Sequence, residues 1–416
     1  MPRDTCILAT YMNTSSMSSQ WLNRPMANLL ILIPMVCWLA FCLDIIAPAL
    51  PVISDEYHVS STLLQNSMSL FLLICGIMQL SIRTLIMRFG RYNLTLSCYL
   101  TMIMGCLIGA KASNIFALII ARCLQAIGSS GTFMISFISV KDITENKPLR
   151  ATIYSLLSTS IALSPILIPM LGAFILETNH WHQTFTCMLI LISLHGIVML
   201  KLFSKTPSQD QANNQQKSAW SDLFADHANL AYLLSAGILG GTANFLYLSH
   251  SSYIYIVNFE TSRLLYSYFY CSVGITYMIG CFAFPYIANY FSDIKTIILG
   301  HMFVFTSMLS TLILSQTGFL SVYSFTLFAA IAHIGSGFLS TGSIIGLMKE
   351  PKLGTDQVIG VYGCTKFILP AIFGWISMGY GASLFALSSS IIILSILTLL
   401  ALMPLFNLNP HRSNAY

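Results

Sequence analysis

Long apolar runs dominate the chain and are interrupted where charged residues, proline, asparagine and glycine cluster. A hydrocarbon core about 30 Å thick is crossed by roughly 20 apolar residues in a helix. The runs lack the alternation of a strand, and within lipid a helix satisfies all of its own backbone groups. The pattern predicts twelve membrane-spanning helices, at residues 28–50, 62–82, 92–110, 114–137, 152–176, 184–203, 229–257, 264–286, 295–315, 319–347, 357–380 and 382–405.

The composition of the 416 residues agrees with this pattern. Apolar residues make up 56% of the chain and charged residues 8%, against roughly a quarter charged in soluble globular proteins. These proportions exclude a soluble enzyme, a disordered chain and a nucleic-acid binder that relies on basic patches. We therefore expect an all-α, multi-pass protein of a bacterial inner membrane, monomeric, with the lipid bilayer as a partner and no nucleic-acid partner.

Lys and Arg residues are distributed unevenly between the two sides of the predicted bundle. Cytoplasmic loops of membrane proteins carry an excess of these residues. If residue 1 lies in the cytoplasm, Lys111 and Arg263 fall in external loops, and Arg122 and Lys366 fall within spans. The other fifteen of the 19 Lys and Arg residues fall in cytoplasmic segments. The sequence therefore predicts that both termini are cytoplasmic.

A polar connection rich in Gln and Asn joins the sixth and seventh spans, and its composition is that of a linker. It divides the spans into two sets of six, which we call the N-half and the C-half. The predicted boundaries are a cytoplasmic tail at 1–27, the N-half at 28–203, the cytoplasmic linker at 204–228, the C-half at 229–406 and a cytoplasmic tail at 407–416.

A weak internal repeat relates the two halves. Phe89 and Phe291 each end a predicted span and lie 202 residues apart. The same offset relates Gly172 in span five to Gly374 in span eleven. Paired halves of six helices are typical of transporters whose halves rock around a site near the middle of the membrane.

Five short segments of the N-half carry a family resemblance. Taken in order, they resemble the motifs of the bicyclomycin- and chloramphenicol-resistance subgroup of drug:proton antiporters, within the major facilitator superfamily. The resemblance covers the N-half by motif and the C-half by layout alone. The segments are Leu43–Pro51 (LDIIAPALP), Arg88–Arg91 (RFGR), Arg122–Gly128 (RCLQAIG), Ser164–Gly172 (SPILIPMLG), and Trp181 with Phe185.

The resemblance implies the major facilitator fold and a secondary active transporter of a small organic molecule. It implies proton-coupled efflux of drugs or metabolites by alternating access, with protons as a partner. Met87 stands where the family motif has an Asp that helps to latch the cytoplasmic side. The candidate gating residues are Arg88, Gly90, Arg91, Pro165, Pro169 and Gly172, together with Pro370 and Gly374 of the C-half.

Asp44 and Arg122 are the candidate proton-coupling residues. Of the 14 acidic residues, Asp44 alone lies within a predicted span, and a carboxyl group at such a depth normally faces a wet pathway. Arg122 lies about 12 Å into span four at 1.5 Å per residue, and the resemblance assigns it to proton coupling. The alternative interpretation is structural, with Asp44 capping or pairing locally and Arg122 forming an ion pair or capping carbonyl groups.

The candidate substrate-binding residues include an unusual lysine. Lys366 lies well inside span eleven, where it could bind an anionic group or extend its ammonium to the membrane interface. Gln125 lies one turn from Arg122, and residues three apart on a helix are neighbours. The remaining candidates are Asn244, Tyr247 and His250, at three-residue spacing along span seven, where the alternative is ordinary packing.

Other functional classes find little support. The P-loop motif GxxxxGK[ST] is absent, which argues against an ATP-driven pump. His180 and His182 lie in a loop near Glu177, and we expect no metal, no cofactor and no enzyme activity. The alternative to drug efflux is a transporter, including an importer, of an anionic metabolite or carboxylate siderophore, motivated by Lys366 and Met87.

Overall fold

The computed structural model describes residues 25–143, 147–178, 180–202, 227–348 and 355–406. The expected terminal tails and linker lie almost wholly outside the described residues. Regular structure within these ranges is helical throughout. The helices are α1 (Pro25–Asp44), α2 (Leu50–Glu56), α3 (Ser61–Phe89), α4 (Arg91–Ala110), α5 (Ile115–Ile143), α6 (Lys147–Thr178), α7 (His182–Leu202), α8 (His227–Leu234), α9 (Thr242–Ser252), α10 (Arg263–Phe291), α11 (Asp293–Thr317), α12 (Val322–Met348), α13 (Thr355–Met378) and α14 (Leu384–Phe406).

These helices confirm an all-α membrane architecture. Within the described ranges, ten segments are long and apolar enough to cross a membrane. Two shorter apolar segments, Ile166–Glu177 and Leu384–Leu400, lie at the positions predicted for spans five and twelve. Exposed leucine, isoleucine and phenylalanine side chains cover the outside of the bundle, which is the surface that lipid would solvate.

The internal repeat appears clearly in the backbone. Helices α3 and α10 each contain 29 residues and begin and end 202 positions apart. Ser60 and Ser262 cap their starts with the same side-chain hydrogen bond, to the amides of Leu63 and Leu265. The turn after α3 has φ 77° and ψ 154° at Gly90, and the turn after α10 has φ 73° and ψ 156° at Ser292.

Span one is not the continuous helix that its apolar run predicts. Helix α1 ends at Asp44, and a 3-10 turn at Ala47–Ala49 joins it to α2. Pro48 has no amide hydrogen to donate to the carbonyl group of Asp44, so the regular helical bond is lost at that point. The break leaves the backbone around Asp44 open to other partners.

Span seven also departs from a regular helix. Two π-helical segments, Ser235–Gly241 and Tyr253–Asn258, flank α9. Such segments are rare and concentrate at functional positions. Gly237 and Gly240 in the first segment pack against Thr365 of α13 and Ser340 of α12, so the irregular backbone lies against the two helices that carry the candidate lysine and its neighbours.

The halves meet where α3 packs on α13 and where α6 packs on α10. We call the end of the bundle that holds residues 57–60 and 259–262 the loop-58 end, and the opposite end, with Gly90 and Ser292, the loop-90 end. Among the described residues, hydrogen bonds join the halves in the part nearer the loop-58 end. One of them runs from Ser69 Oγ to Met378 Sδ (3.9 Å), and three have oxygen acceptors. They run from Tyr253 Oη to the Leu50 carbonyl (3.2 Å), from Gln65 Nε2 to the Ser249 carbonyl (2.9 Å) and from Ser267 Oγ to the Pro169 carbonyl (3.3 Å).

Nearer the loop-90 end, the halves meet through packing. The rings of Phe133 and Phe367 lie edge to face, with centroids 6.3 Å apart. Gly363 of α13 packs directly against the carboxamide of Gln79 on α3. Among the described residues, the contacts between the halves nearer the loop-58 end include hydrogen bonds, and those nearer the loop-90 end include aromatic and glycine packing.

Candidate functional site

Asp44 lies at the break in span one and is buried, with 4% of its surface exposed. Gly172 of α6 packs directly against the carbonyl group of Ile45, the first residue of the break. Any larger side chain at position 172 would overlap that oxygen. The glycine of the expected gating motif therefore allows α6 to approach the backbone beside the buried acid.

Arg122 is buried on α5 and reaches two neighbouring helices. Its Nη1 donates hydrogen bonds to the carbonyl oxygen of Cys42 on α1 and to Oε1 of Gln125, the latter at 3.3 Å. Its guanidinium carbon lies 4.5 Å from the centroid of the Phe71 ring on α3. The Nη2 group has no hydrogen-bond partner within the described ranges, so part of the donor capacity of the guanidinium is unused there.

Asp44 and Arg122 interact electrostatically, as the pairing of two interior charges requires. Asp44 also interacts with Tyr266 and Tyr270 on α10. These tyrosines belong to the C-half, so the acid lies where one half faces the other.

Tyr247 belongs to an aromatic cluster inside the C-half. Its ring stacks on Tyr270 with centroids 5.6 Å apart, and meets the His333 ring edge-on at 4.7 Å. Its hydroxyl group lies 3.2 Å from that of Tyr255, which in turn lies 2.8 Å from Oγ1 of Thr326. The cluster connects the α9 face to the Tyr270 ring beside Asp44.

Three other substrate-binding candidates make hydrogen bonds within their own half. Asn244 donates from Nδ2 to the Gly240 carbonyl (3.0 Å) and accepts at Oδ1 from Ser336 (3.1 Å). Nδ1 of the fully buried His250 lies 3.0 Å from the Leu246 carbonyl oxygen. Asn244 keeps part of its surface accessible. Gln125 accepts a hydrogen bond from Arg122, as its spacing predicts, and donates to Cys106 and Met188.

Lys366 lies among helices of the C-half, and part of its surface remains accessible. Its Nζ donates to Oγ of Ser340 at 3.3 Å and lies 5.5 Å from the centroid of the Tyr362 ring. The hydroxyl group of Tyr362 donates to the carbonyl oxygen of Ser340 at 2.7 Å. Lysine has three hydrogen-bond donors, and these contacts use one of them.

The remaining gating candidates fall on helix contacts and turns. Pro169 accepts the hydrogen bond from Ser267 described above, and Pro370 packs against Gly241 in the first π-helical segment. Gly374 packs against the Phe245 ring and the Ser69 hydroxyl of α3. Arg88, Gly90 and Arg91 surround the turn between α3 and α4. The side chain of Pro165 lies outside the described set.

Comparison with known proteins places this arrangement in a family. The family model of the Major Facilitator Superfamily matches residues 32–374. The chain belongs to this superfamily. The expected fold is thereby confirmed, and the protein is a membrane-embedded secondary transporter of small molecules, not an enzyme.

Several curated relatives resemble this superfamily member, two of them over most of their length and one over less than half. An uncharacterized MFS-type transporter, YdgK, of Bacillus subtilis is 26% identical over 76% of this chain and 80% of its own. The multidrug resistance protein MdtL of Shewanella oneidensis is 25% identical over 80% and 84%. The chloramphenicol resistance protein CraA of Acinetobacter baumannii is 31% identical over 44% and 43%.

Solved structures support the fold. A D-xylose-proton symporter aligns with a TM-score of 0.70 and 12% identity, covering 89% of this chain and 96% of its own. A POT family transporter in complex with 5-aminolevulinic acid aligns with a TM-score of 0.74 and 13% identity, covering 92% and 96%. At these identities, the similarity shows a shared backbone fold and carries no information about the substrate.

Proposed function

We propose that this transporter exports drugs or related small organic molecules in exchange for protons, by alternating access between the two halves. The observation that carries the proposal is the buried Asp44 at a helix break, near enough to the buried Arg122 and to tyrosines of the other half to interact with them electrostatically. A carboxyl group in such a site can take up and release a proton while the surrounding charge balance changes.

Relatives with multidrug and chloramphenicol resistance in their names support export over uptake of an anionic metabolite. The proton would bind at Asp44 from one side of the membrane and leave to the other once the halves have rocked. Arg122 would stabilise the deprotonated acid. The substrate would occupy the space between the halves, for which Lys366, Asn244, Tyr247, His250 and Gln125 remain the candidate contacts.

We further propose that the protein is a monomer of the bacterial inner membrane, with both termini and the loop-90 end in the cytoplasm. The excess of Lys and Arg at that end supports this orientation. Alkaline phosphatase fused after Gly90 should be inactive, and the same enzyme fused after Lys111 should be active. Active phosphatase at both positions, or the reverse pattern, would contradict the orientation.

The experiment that tests the function uses purified protein in liposomes with a pH-sensitive dye trapped inside. Radiolabelled chloramphenicol should move against its gradient when a proton gradient of the correct direction is imposed. In Asp44→Asn, this proton-driven flux should fall to the background of empty liposomes, because the amide cannot bind and release a proton. Glu177→Gln, at an exposed carboxylate, is the matched control and should transport normally.

A further inference from the structure

Lys366 is an interior cation without an acidic partner among the side chains that the structure describes. Its ammonium group lies near side chains of three helices, which are Tyr362 of α13, Ser340 of α12 and Cys281 of α10. Buried charges in membrane proteins are normally paired or face a substrate pathway. Since part of the side chain is accessible and two of its three donors are unused, the ammonium is available to an incoming ligand.

A second polar group contacts α13 one helical turn from Lys366 and has no hydrogen-bond partner among the described residues. Gln79 of α3 is buried with 4% of its surface exposed, and neither Nε2 nor Oε1 makes a hydrogen bond. Its carboxamide packs against Gly363, which lies one helical turn before Lys366. Buried amides are almost always hydrogen-bonded, so the unpaired amide indicates a polar group that binds between the halves.

The two groups together have the chemistry of a carboxylate site. An ammonium and an amide N–H donate to the two oxygens of a carboxylate, and hydrogen bonds to a charged acceptor are the stronger kind. The Tyr362 ring beside the ammonium offers an aromatic surface to the rest of the ligand. An organic cation in the same place would face an unpaired positive charge.

We infer that Lys366, Ser340 and Tyr362 of the C-half, with Gln79 of the N-half, form a subsite that binds the carboxylate of an aromatic substrate and disfavours organic cations. This inference rests on the proposed function, because it names the class of molecule that the transporter carries. The subsite contains residues of both halves, so movement of the halves would make or break its contacts with a bound ligand.

Three compounds of one ring system test the charge preference. They are naphthalene-2-carboxylate, the neutral naphthalene-2-carboxamide and the cationic 2-(aminomethyl)naphthalene, titrated calorimetrically into the purified full chain. The carboxylate should bind about tenfold to a hundredfold more tightly than the carboxamide, and the cation should bind most weakly. Equal binding of carboxylate and carboxamide, preference for the cation, or no binding of the carboxylate would overturn the inference.

Variants then assign the preference to the subsite. Lys366→Met should lower carboxylate affinity about tenfold or more and change carboxamide affinity less than about twofold. Lys366→Arg should keep most of the preference, because it keeps the charge. Lys111→Met, which removes an exposed lysine, is the matched control. An equal loss for both ligands in Lys366→Met would mean that the lysine is structural.

Gln79→Leu separates a ligand contact from a packing role. Because the wild-type amide has no hydrogen-bond partner among the side chains and backbone groups that the structure describes, leucine should leave the thermal unfolding temperature unchanged or raise it. Carboxylate affinity should nevertheless fall about threefold or more. A lowered unfolding temperature with unchanged affinity would contradict a role for Gln79 in the subsite.

The two proposals can fail separately. Proton-driven chloramphenicol flux that is absent in the wild type would refute the proposed function whatever the naphthalene compounds do. Normal flux together with no preference for the carboxylate would refute the subsite alone.

Discussion

In the N-half, Asp44 and Arg122 are an acid and a base that lie buried within the described spans and interact electrostatically. In the C-half, Lys366 has no acidic partner among the described side chains. Tyr247 of α9 and Tyr270 of α10 stack on each other in the same half. The backbones of the two halves nevertheless agree in helix length, capping and turn geometry at an offset of 202 residues. The repeat has therefore kept its backbone while the two halves acquired different polar groups.

The offset shows how far the polar groups have diverged. Position 246, equivalent to Asp44, is a leucine, and position 164, equivalent to Lys366, is a serine. Gln79 is equivalent to Cys281, which lies beside Lys366. An interior charge in one half thus has an uncharged counterpart in the other. This difference in charged residues supports a proton site in the N-half and a substrate subsite formed mainly by residues of the C-half.

The buried guanidinium of Arg122 is the main difference between the halves. Removing it should have the largest effect on stability and transport. Arg122→Met leaves Asp44 without its opposite charge and the Cys42 carbonyl without its donor. Losing the donor leaves a buried carbonyl group unsatisfied, which costs about 1–3 kcal/mol. We expect a clearly lowered unfolding temperature in detergent and loss of proton-driven flux.

Two comparisons check that interpretation. Lys295→Gln, at an exposed lysine, should unfold and transport as the wild type does. Asp44→Asn should lose flux at a smaller cost in stability, because Arg122 keeps its hydrogen bonds to the Cys42 carbonyl and to Gln125. Normal flux in Arg122→Met would remove the basis for a proton site in the N-half.

Gly172 and Gly374 occupy equivalent positions and should respond differently to alanine. At 172 the added Cβ meets the carbonyl oxygen of Ile45, which belongs to the backbone. At 374 it meets the Phe245 ring and the Ser69 hydroxyl, which can move. Overpacking costs about 1–3 kcal/mol, and we expect the upper end for Gly172→Ala and the lower end for Gly374→Ala.

Thermal unfolding of both variants in the same detergent measures the difference. Transport should follow the same order, since Gly172 lies beside the backbone break that positions Asp44. Equal destabilisation would show that the α6 contact with span one is as adaptable as the α13 contact with α9 and α3.

Much of the fold was predictable because charge in hydrocarbon is such a strong signal. The apolar runs predicted the spans, and Asp44, Arg122 and Lys366 stood out as the charged residues inside them. The break in span one could have been predicted from Pro48, whose missing amide hydrogen ends regular bonding. The proximity of Gln125 to Arg122 follows from helix geometry and is confirmed.

Other parts of the site depend on contacts that a single sequence does not reveal. Tyr266 and Tyr270 are ordinary residues of an apolar span until the two halves bring them near Asp44. Gln79 becomes notable through its lack of partners, which is a property of the packed bundle. The π-helical segments flank α9 and were not predictable from the apolar pattern, whereas the three-residue spacing of Asn244, Tyr247 and His250 falls within the regular helix α9.

The turns after α3 and α10 offer the finest test of the shared backbone. Both have positive φ with extended ψ, at Gly90 and Ser292, a region that is essentially restricted to glycine. Gly90→Ser should therefore destabilise the N-half by about 1 kcal/mol, and Ser292→Gly should stabilise the C-half by a similar amount. Thermal unfolding of the two single variants measures the effects, which should have opposite signs. If Ser292→Gly gave no stabilisation, the C-half turn would not share the conformation of the N-half turn, and the backbone repeat would be less complete than the 202-residue offset indicates.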